Sequence, residues 1–316
     1  MTRPLTGKKS KDPNKRPTGL KRTALALFAK GFCMGASDVV PGVSGGTMAL
    51  ILGIYEELIQ SIKALNGELL RMVLKGHILQ ALQTAPIRFL LPLGMGILTA
   101  IFTLAKGLSW LLENHPIAIW SFFFGLVLAS AIMVGRRIEE WTLPPFISLL
   151  IAAIGAYVLV ALVPVNTPET LSFIFLCGAI AICAMILPGI SGSFILVLLG
   201  KYHFILDAVG RLDILVLSVF TAGTITGIML FVRLLNWLLK HYYQLTMAAL
   251  TGLMIGSLRK IWPWKSMTGH AIDGTESSTI IVNIFPQQLN TEVLIALGLA
   301  LIGGFVVLLL QRLAEK

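Results

Sequence analysis

The sequence predicts an all-α integral membrane protein of two inverted repeats, each with a broken or re-entrant helical hairpin plus about three transmembrane helices. Three observations predict it. Of 316 residues, 56% are hydrophobic and only 13% charged, with mean hydropathy +0.85, whereas a soluble domain carries roughly 25% charged residues. Several apolar runs approach the ~20 residues a spanning helix needs. A Pro-Gly-x-Ser-Gly motif occurs twice, once in each half of the chain.

Residues 1–22 hold Arg3, Lys8, Lys9, Lys11, Lys15, Arg16, Lys21 and Arg22 against the single acid Asp12. Rich in Pro, Lys and Thr and without an apolar period, this segment is expected to be a disordered cytoplasmic tail that touches anionic lipid headgroups. Nucleic acid is not expected as a partner. The apolar run that follows leads into polar motif residues rather than a small-x-small site, which argues against a cleavable signal.

The first repeat is placed at 23–164 and the second at 165–316. The run Gly31 to Gly46, continuing to Tyr55, aligns with Gly178 to Ser193, continuing to Tyr202. Gly31 pairs with Gly178, Pro41 with Pro188, Gly42 with Gly189, Ser44 with Ser191, Gly45 with Gly192, Gly53 with Gly200 and Tyr55 with Tyr202. After an insertion at 66–86 in the first half, a further block pairs Gly96 with Gly223, Lys106 with Arg233, Trp110 with Trp237, Gly125 with Gly252 and Ser130 with Ser257. The apolar runs 87–112, 116–134 and 143–163 are the expected spans of the first half, and 214–239, 245–258 and 291–310 those of the second. The fifth is short.

Loop charge sets sidedness. The tail, the insertion with Lys63, Arg71, Lys75 and Arg88, and the turn with Arg136 and Arg137 are expected in the cytoplasm, together with Lys240, Arg312 and Lys316. The turn at 113–116 and the link at 165–170 lack Lys and Arg and are expected outside. The first half then crosses an odd number of times and the second half lies inverted, an arrangement that places a transporter's site at mid-membrane. Arg259, Lys260 and Lys265 are the exception: the same topology puts them outside.

Each motif interrupts an apolar run. Proline removes a donor and disrupts a helix, glycine permits a tight turn and close approach, and Ser44 and Thr47, or Ser191 and Ser193, are placed to cap the helix that resumes. A helix starting inside a bilayer offers unpaired amides to an anion. Irregular backbone must also be buried in protein or line a cavity. The flanking runs of about 17 residues, roughly 25 Å as helix, favour re-entrant hairpins over two full crossings, although loop charge fits both. The substrate-binding candidates are therefore Asp38, Pro41, Gly42, Ser44, Gly45, Gly46, Thr47, Pro188, Gly189, Ser191, Gly192 and Ser193. The alternative is that the motifs only pack two hairpins together through small residues. Asp38 weighs against packing alone, since an intramembrane acid is costly; it is a proton carrier or a hydrogen-bonding group, with Met185 as its counterpart.

Lys106 and Arg233 are further candidates, either as phosphate-binding cations, one toward each face, or as side chains snorkelling to the interface. Glu56 and Glu57 read as interface residues, Tyr55 and Tyr202 as interfacial anchors, and Trp110 and Trp237 as parts of an aromatic belt. Three cysteines in apolar runs without C-x-x-C spacing and five scattered histidines argue against disulfides and metal sites. No Walker A or dinucleotide fingerprint occurs, so neither ATP-driven transport nor any cofactor is expected.

The run from Met34 through Asp38, Pro41, Ser44 and Thr47 to Glu56, with its second copy from Leu187 to Tyr202, closely resembles the bacterial polyprenyl-phosphate transporters. The resemblance covers nearly all of the chain beyond the tail, except the loop at 261–288. It implies a transporter, not an enzyme, of the bacterial cytoplasmic membrane. Such a protein flips undecaprenyl phosphate or a similar anionic polyprenyl lipid from the outer to the inner leaflet, for reuse in cell-wall peptidoglycan synthesis. Self-association is left open. Three other functions compete: a secondary transporter of a small anion, using the same helix-end physics; an intramembrane serine hydrolase, because Gly42-Val-Ser44-Gly45 and Gly189-Ile-Ser191-Gly192 both read G-x-S-G; and a non-transporting scaffold in a wall-synthesis complex.

Overall fold

The computed structural model describes residues 24–40, 43–65, 67–162, 164–165, 167–270, 279–286, 288 and 290–315. The basic tail and two site candidates, Pro41 and Gly42, lie outside them. The described chain is helical apart from one β-ribbon. In order, the elements are α1 (Ala24–Asp38), α2 (Gly45–Ile51), α3 (Tyr55–Ala64), α4 (Gly67–Leu74), α5 (Ile78–Thr84), α6 (Ile87–Asn114), α7 (Pro116–Gly135), α8 (Leu143–Leu159), α9 (Leu171–Ile186), α10 (Gly192–Leu198), α11 (Tyr202–Arg211), α12 (Ile214–His241), α13 (Tyr243–Ser257), β1 (Lys265–His270), β2 (Thr279–Asn283) and α14 (Thr291–Glu315). Every apolar run expected to span forms a helix. Among the described residues, α6, α7, α12 and α14 are long and apolar enough to cross a bilayer, with a fifth span if the bent pair α10–α11 counts as one. Their outer faces carry exposed Leu98, Phe102, Leu230, Leu234, Leu301 and Phe305, a surface that only lipid tails solvate well.

Glycines set the helix pairings. A Cβ on Gly31 of α1 would lie 2.0 Å from the Leu93 carbonyl oxygen of α6, and one on Gly96 would lie 2.1 Å from that of Phe28. The aligned glycines make the same contacts between α9 and α12: Gly178 meets the Phe220 oxygen at 2.3 Å and Gly223 that of Phe175 at 2.0 Å. Such backbone approach is how helices associate where lipid offers no hydrophobic drive. The later helices pair across the two halves. Gly125 places α7 on α14 at Ala300, and its aligned partner Gly252 places α13 on α8 at Leu149.

The motif hairpins differ from expectation in one respect. The run after each motif does not continue as one limb of about 17 residues; it breaks again after seven, at the ends of α2 and α10. Gly53 and Gly200 sit at these second breaks with φ of +66° and +62°, the left-handed conformation that ends helices. The turn between α10 and α11 bends the chain by 106°. Each hairpin closes on its own start. The Val165 amide donates to Leu198 O at 3.0 Å and the Thr167 hydroxyl to Leu199 O, so the end of α10 meets the link that leads into α9. Lys30 Nζ of α1 donates to Leu52 O, just past α2, at 2.9 Å. The short second limb of each hairpin thus bonds back to the segment that precedes the motif, the course a re-entrant hairpin would take.

Between α13 and α14, β1 and β2 pair antiparallel with Lys265 opposite Asn283. This ribbon has no counterpart in the sequence reading, which leaves the segment unassigned.

Candidate functional site

The two breaks meet. Helix α9 ends at Ile186 inside the protein, leaving terminal carbonyls that no further turn satisfies, and lipid would not solvate them. Side chains of the other half do so. Ser44 Oγ lies 3.1 Å from the carbonyl oxygens of both Met185 and Leu187, and the Tyr55 hydroxyl donates to Ile186 O at 3.2 Å. In the other direction the Gly189 amide donates to Thr47 Oγ1 at 3.1 Å. Gly46 makes room for the junction, because a Cβ there would lie 2.4 Å from Ile186 O. Ser44 and Thr47 are 1% and 0% exposed and Pro188 and Gly189 are buried, so the start of α2 and the turn after α9 lie inside the protein.

Within the first motif, Ser44 is the N-cap of α2 and accepts the Gly46 amide at 3.1 Å. Asp38 Oδ1 accepts the Gly45 amide at 2.7 Å, and a Cβ on Gly45 would lie 2.6 Å from that carboxylate. Asp38 thus occupies the anion's position at the resumed helix. Of the two roles expected for it, the geometry displays hydrogen bonding. The C-terminal end of α2 is held by cations: Lys30 reaches Leu52 O and Arg137 reaches Leu50 O at 3.2 Å, the sign that suits a helix C-terminus.

The second motif turns at Pro188-Gly189, where Gly189 has φ +84° and would meet Ser257 Oγ of α13 at 2.6 Å if it bore a Cβ. Ser191 occupies the N-cap position of α10 without making a cap bond; its hydroxyl pairs with that of Ser193 at 2.7 Å. Gly192 lies close under Ala181 O of α9. Leu187 lines an apolar groove of about 420 Å³ between α12 and α13, together with Phe231, Leu235, Leu238 and Leu253. A second apolar groove of about 540 Å³ along α8 shares Ser148, Leu245 and Ala249 with it.

The structure does not bring Lys106 or Arg233 to the motifs. Both are exposed, on α6 and α12, and among the described residues neither bonds to a motif residue. Tyr55 corrects an expectation: it is no interfacial anchor but one of the most buried side chains, 2% exposed, because it seals the α9 end. The bonds of Ser44 and Ser191 go to backbone groups and Ser193, and no base that would activate a serine nucleophile bonds to either among the described residues. No metal-binding cluster occurs among the described residues.

One group of cations was visible in the sequence only as a violation of the loop-charge rule. Arg259 stacks over Tyr157 at 4.3 Å, Lys260 over Phe194 at 4.6 Å and Lys265 over Trp120 at 4.3 Å. Lys265 Nζ also donates to Lys260 O at 2.8 Å. Burial lowers the pKa of Lys260, and burial together with the Lys260 charge pushes Lys265 down to about 8.

Lipid-facing spans around mutually bonded helix breaks define a polytopic membrane protein. Residues 34–279 match the model of the VCA0040-like, undecaprenyl phosphate translocase-like family, and the chain belongs to that family. It is 43% identical over 300 residues to a polyprenyl-phosphate transporter of Vibrio cholerae, covering 92% of this chain and 97% of that one. It is 31% identical over 253 residues to a polyprenyl-phosphate transporter of Staphylococcus aureus, covering 74% of this chain and 84% of that one. No solved structure matches the chain.

Proposed function

We propose that this protein flips undecaprenyl phosphate, or a similar polyprenyl phosphate, from the outer to the inner leaflet of the bacterial cytoplasmic membrane, returning the carrier lipid to cell-wall synthesis. The observation that carries the reading is the junction of the two breaks, where Ser44, Thr47 and Tyr55 bond one half to the other within an otherwise apolar contact that includes Val43, Met48 and Ile186. Hydrogen bonds of this kind contribute about 1 kcal/mol each; in this reading the hairpins part and close with each transfer. Parting uncovers the Gly189 amide and the hydroxyls of Ser44, Thr47, Ser191 and Ser193, donors suited to phosphate oxygens, in a passage edged by Gly45, Gly46, Pro188 and Gly192. Asp38 stays on Gly45 as a fixed cap. Lys106 and Arg233 draw the headgroup from the two faces, as inverted halves would require.

The apolar groove beginning at Leu187 supports a lipid over a soluble anion, because its lining offers an isoprenoid chain hydrophobic contact beside the junction. The names of the relatives point the same way. The test is the purified protein in liposomes, assayed for leaflet transfer of a labelled polyprenyl phosphate and for uptake of soluble phosphate. Transfer of the lipid without uptake of phosphate is the expected result; the reverse would establish a small-anion transporter.

A further inference from the structure

We propose that Arg259, Lys260 and Lys265 form a receiving site for a phosphate monoester headgroup beside the second hairpin. This rests on the lipid-phosphate reading above and deepens it. The three cations come from one turn and the first residue of β1, and each lies against an aromatic ring of a different helix: Tyr157 of α8, Phe194 of α10 and Trp120 of α7. Among the described residues, no carboxylate lies within ion-pair reach of any of the three. A ring face holds a cation weakly and leaves most of its N–H groups available. Lys260 and Lys265 are partly withdrawn from water and adjacent to each other, an arrangement that repels in isolation and favours an incoming anion.

Charge and position select the ligand. The two adjacent lysine charges, with Arg259 on the same turn as Lys260, match a phosphate monoester, which carries about −1.5 to −2 at neutral pH, better than a phospholipid diester with its single charge. Phe194 directly follows Ser193 of the second motif, so a headgroup held by Lys260 is already at the proposed passage. On the sidedness expected from loop charge, this cluster faces outside, where cations serve no topogenic purpose and where a lipid bound for the inner leaflet must be collected. Beside the β-ribbon, Trp262 packs on Phe124 of α7 and donates to Ile284 O at 2.8 Å, and Lys265 lies over Trp120 of the same helix.

The test uses the full-length protein in phosphatidylcholine nanodiscs, titrated with a polyprenyl phosphate while tryptophan fluorescence is followed. Polyprenol, phosphatidylglycerol and inorganic phosphate serve as competitors. Saturable binding is expected that none of the three displaces at matched concentration, weakened roughly tenfold or more in K260Q/K265Q and restored in K260R/K265R. Equal binding by K260Q/K265Q and wild type would overturn the site even where wild type transfers lipid between leaflets. Displacement by inorganic phosphate at matched concentration would assign the site to the free anion and overturn the lipid-headgroup proposal. Lysine-dependent binding without leaflet transfer would keep the site and overturn the transport reading.

Discussion

The amide of Gly189 donates its proton to the hydroxyl of Thr47 across 3.1 Å, so the break in one half of the chain is tied directly to the break in the other. Replacing Thr47 by Val keeps the shape and removes the acceptor, leaving a buried donor unpaired at a cost of about 1–3 kcal/mol. Thermal unfolding in detergent should show T47V destabilised and T47S close to wild type.

Gly46 tests the junction sterically. Ala there puts a methyl group against the backbone oxygen of Ile186, 2.4 Å away before relaxation, and neither partner is a flexible side-chain end. G46A should lose about 1–3 kcal/mol of stability and most of its leaflet transfer. G94A, which meets nothing within 4 Å, should retain both.

Asp38 separates capping from proton carriage. An Asn side chain can still accept the Gly45 amide, whereas Ala cannot. D38N should stay folded and keep its transfer rate, with an unchanged response to a proton gradient; D38A should lose about 1–2 kcal/mol. Loss of the gradient response in D38N alone would make the acid a proton carrier after all.

Lys106 and Arg233 are exposed, so K106A and R233A should leave stability within about 0.5 kcal/mol of wild type. Transport should fall in both, because each is proposed to draw the headgroup from its face. Normal transfer by both would remove them from the mechanism.

Lys265 gives a pH signature of two opposite signs. Its folded pKa of about 8 lies below the ordinary 10.5, so between those values the unfolded chain binds the extra proton and stability rises with pH. Among the described residues, the groups facing it are Lys260, Trp120 from α7 and Asn283 across the ribbon; none of these is an acid that would raise the pKa. Headgroup affinity should therefore fall as pH rises through about 8, and K265R should shift that fall out of the range.

Much of the fold was legible because membrane helices announce themselves by length and apolarity, and because duplication left Gly31 and Gly96 aligned with Gly178 and Gly223. The motif breaks were legible from Pro-Gly for local reasons. The second breaks at Gly53 and Gly200 were not, since an isolated glycine in an apolar run is compatible with continuous helix. Contacts that depend on which halves meet left no local trace: the burial of Tyr55, the reach of Ser44 to Met185 and Leu187, and the pairing of α7 with α14. The stacking of Lys260 and Lys265 on rings far away in sequence was invisible for the same reason, and only their sign on the wrong side of the expected topology marked them.

The central claim is that the junction must part for the lipid to pass. It is tested most directly by leaflet transfer of labelled polyprenyl phosphate in liposomes, using an S44C/L187C variant in which Cys33, Cys177 and Cys183 are replaced and a short, reducible bifunctional reagent joins the two motifs. Transfer should stop on joining and return on reduction. Transfer at an unaltered rate with the motifs covalently joined would contradict the account.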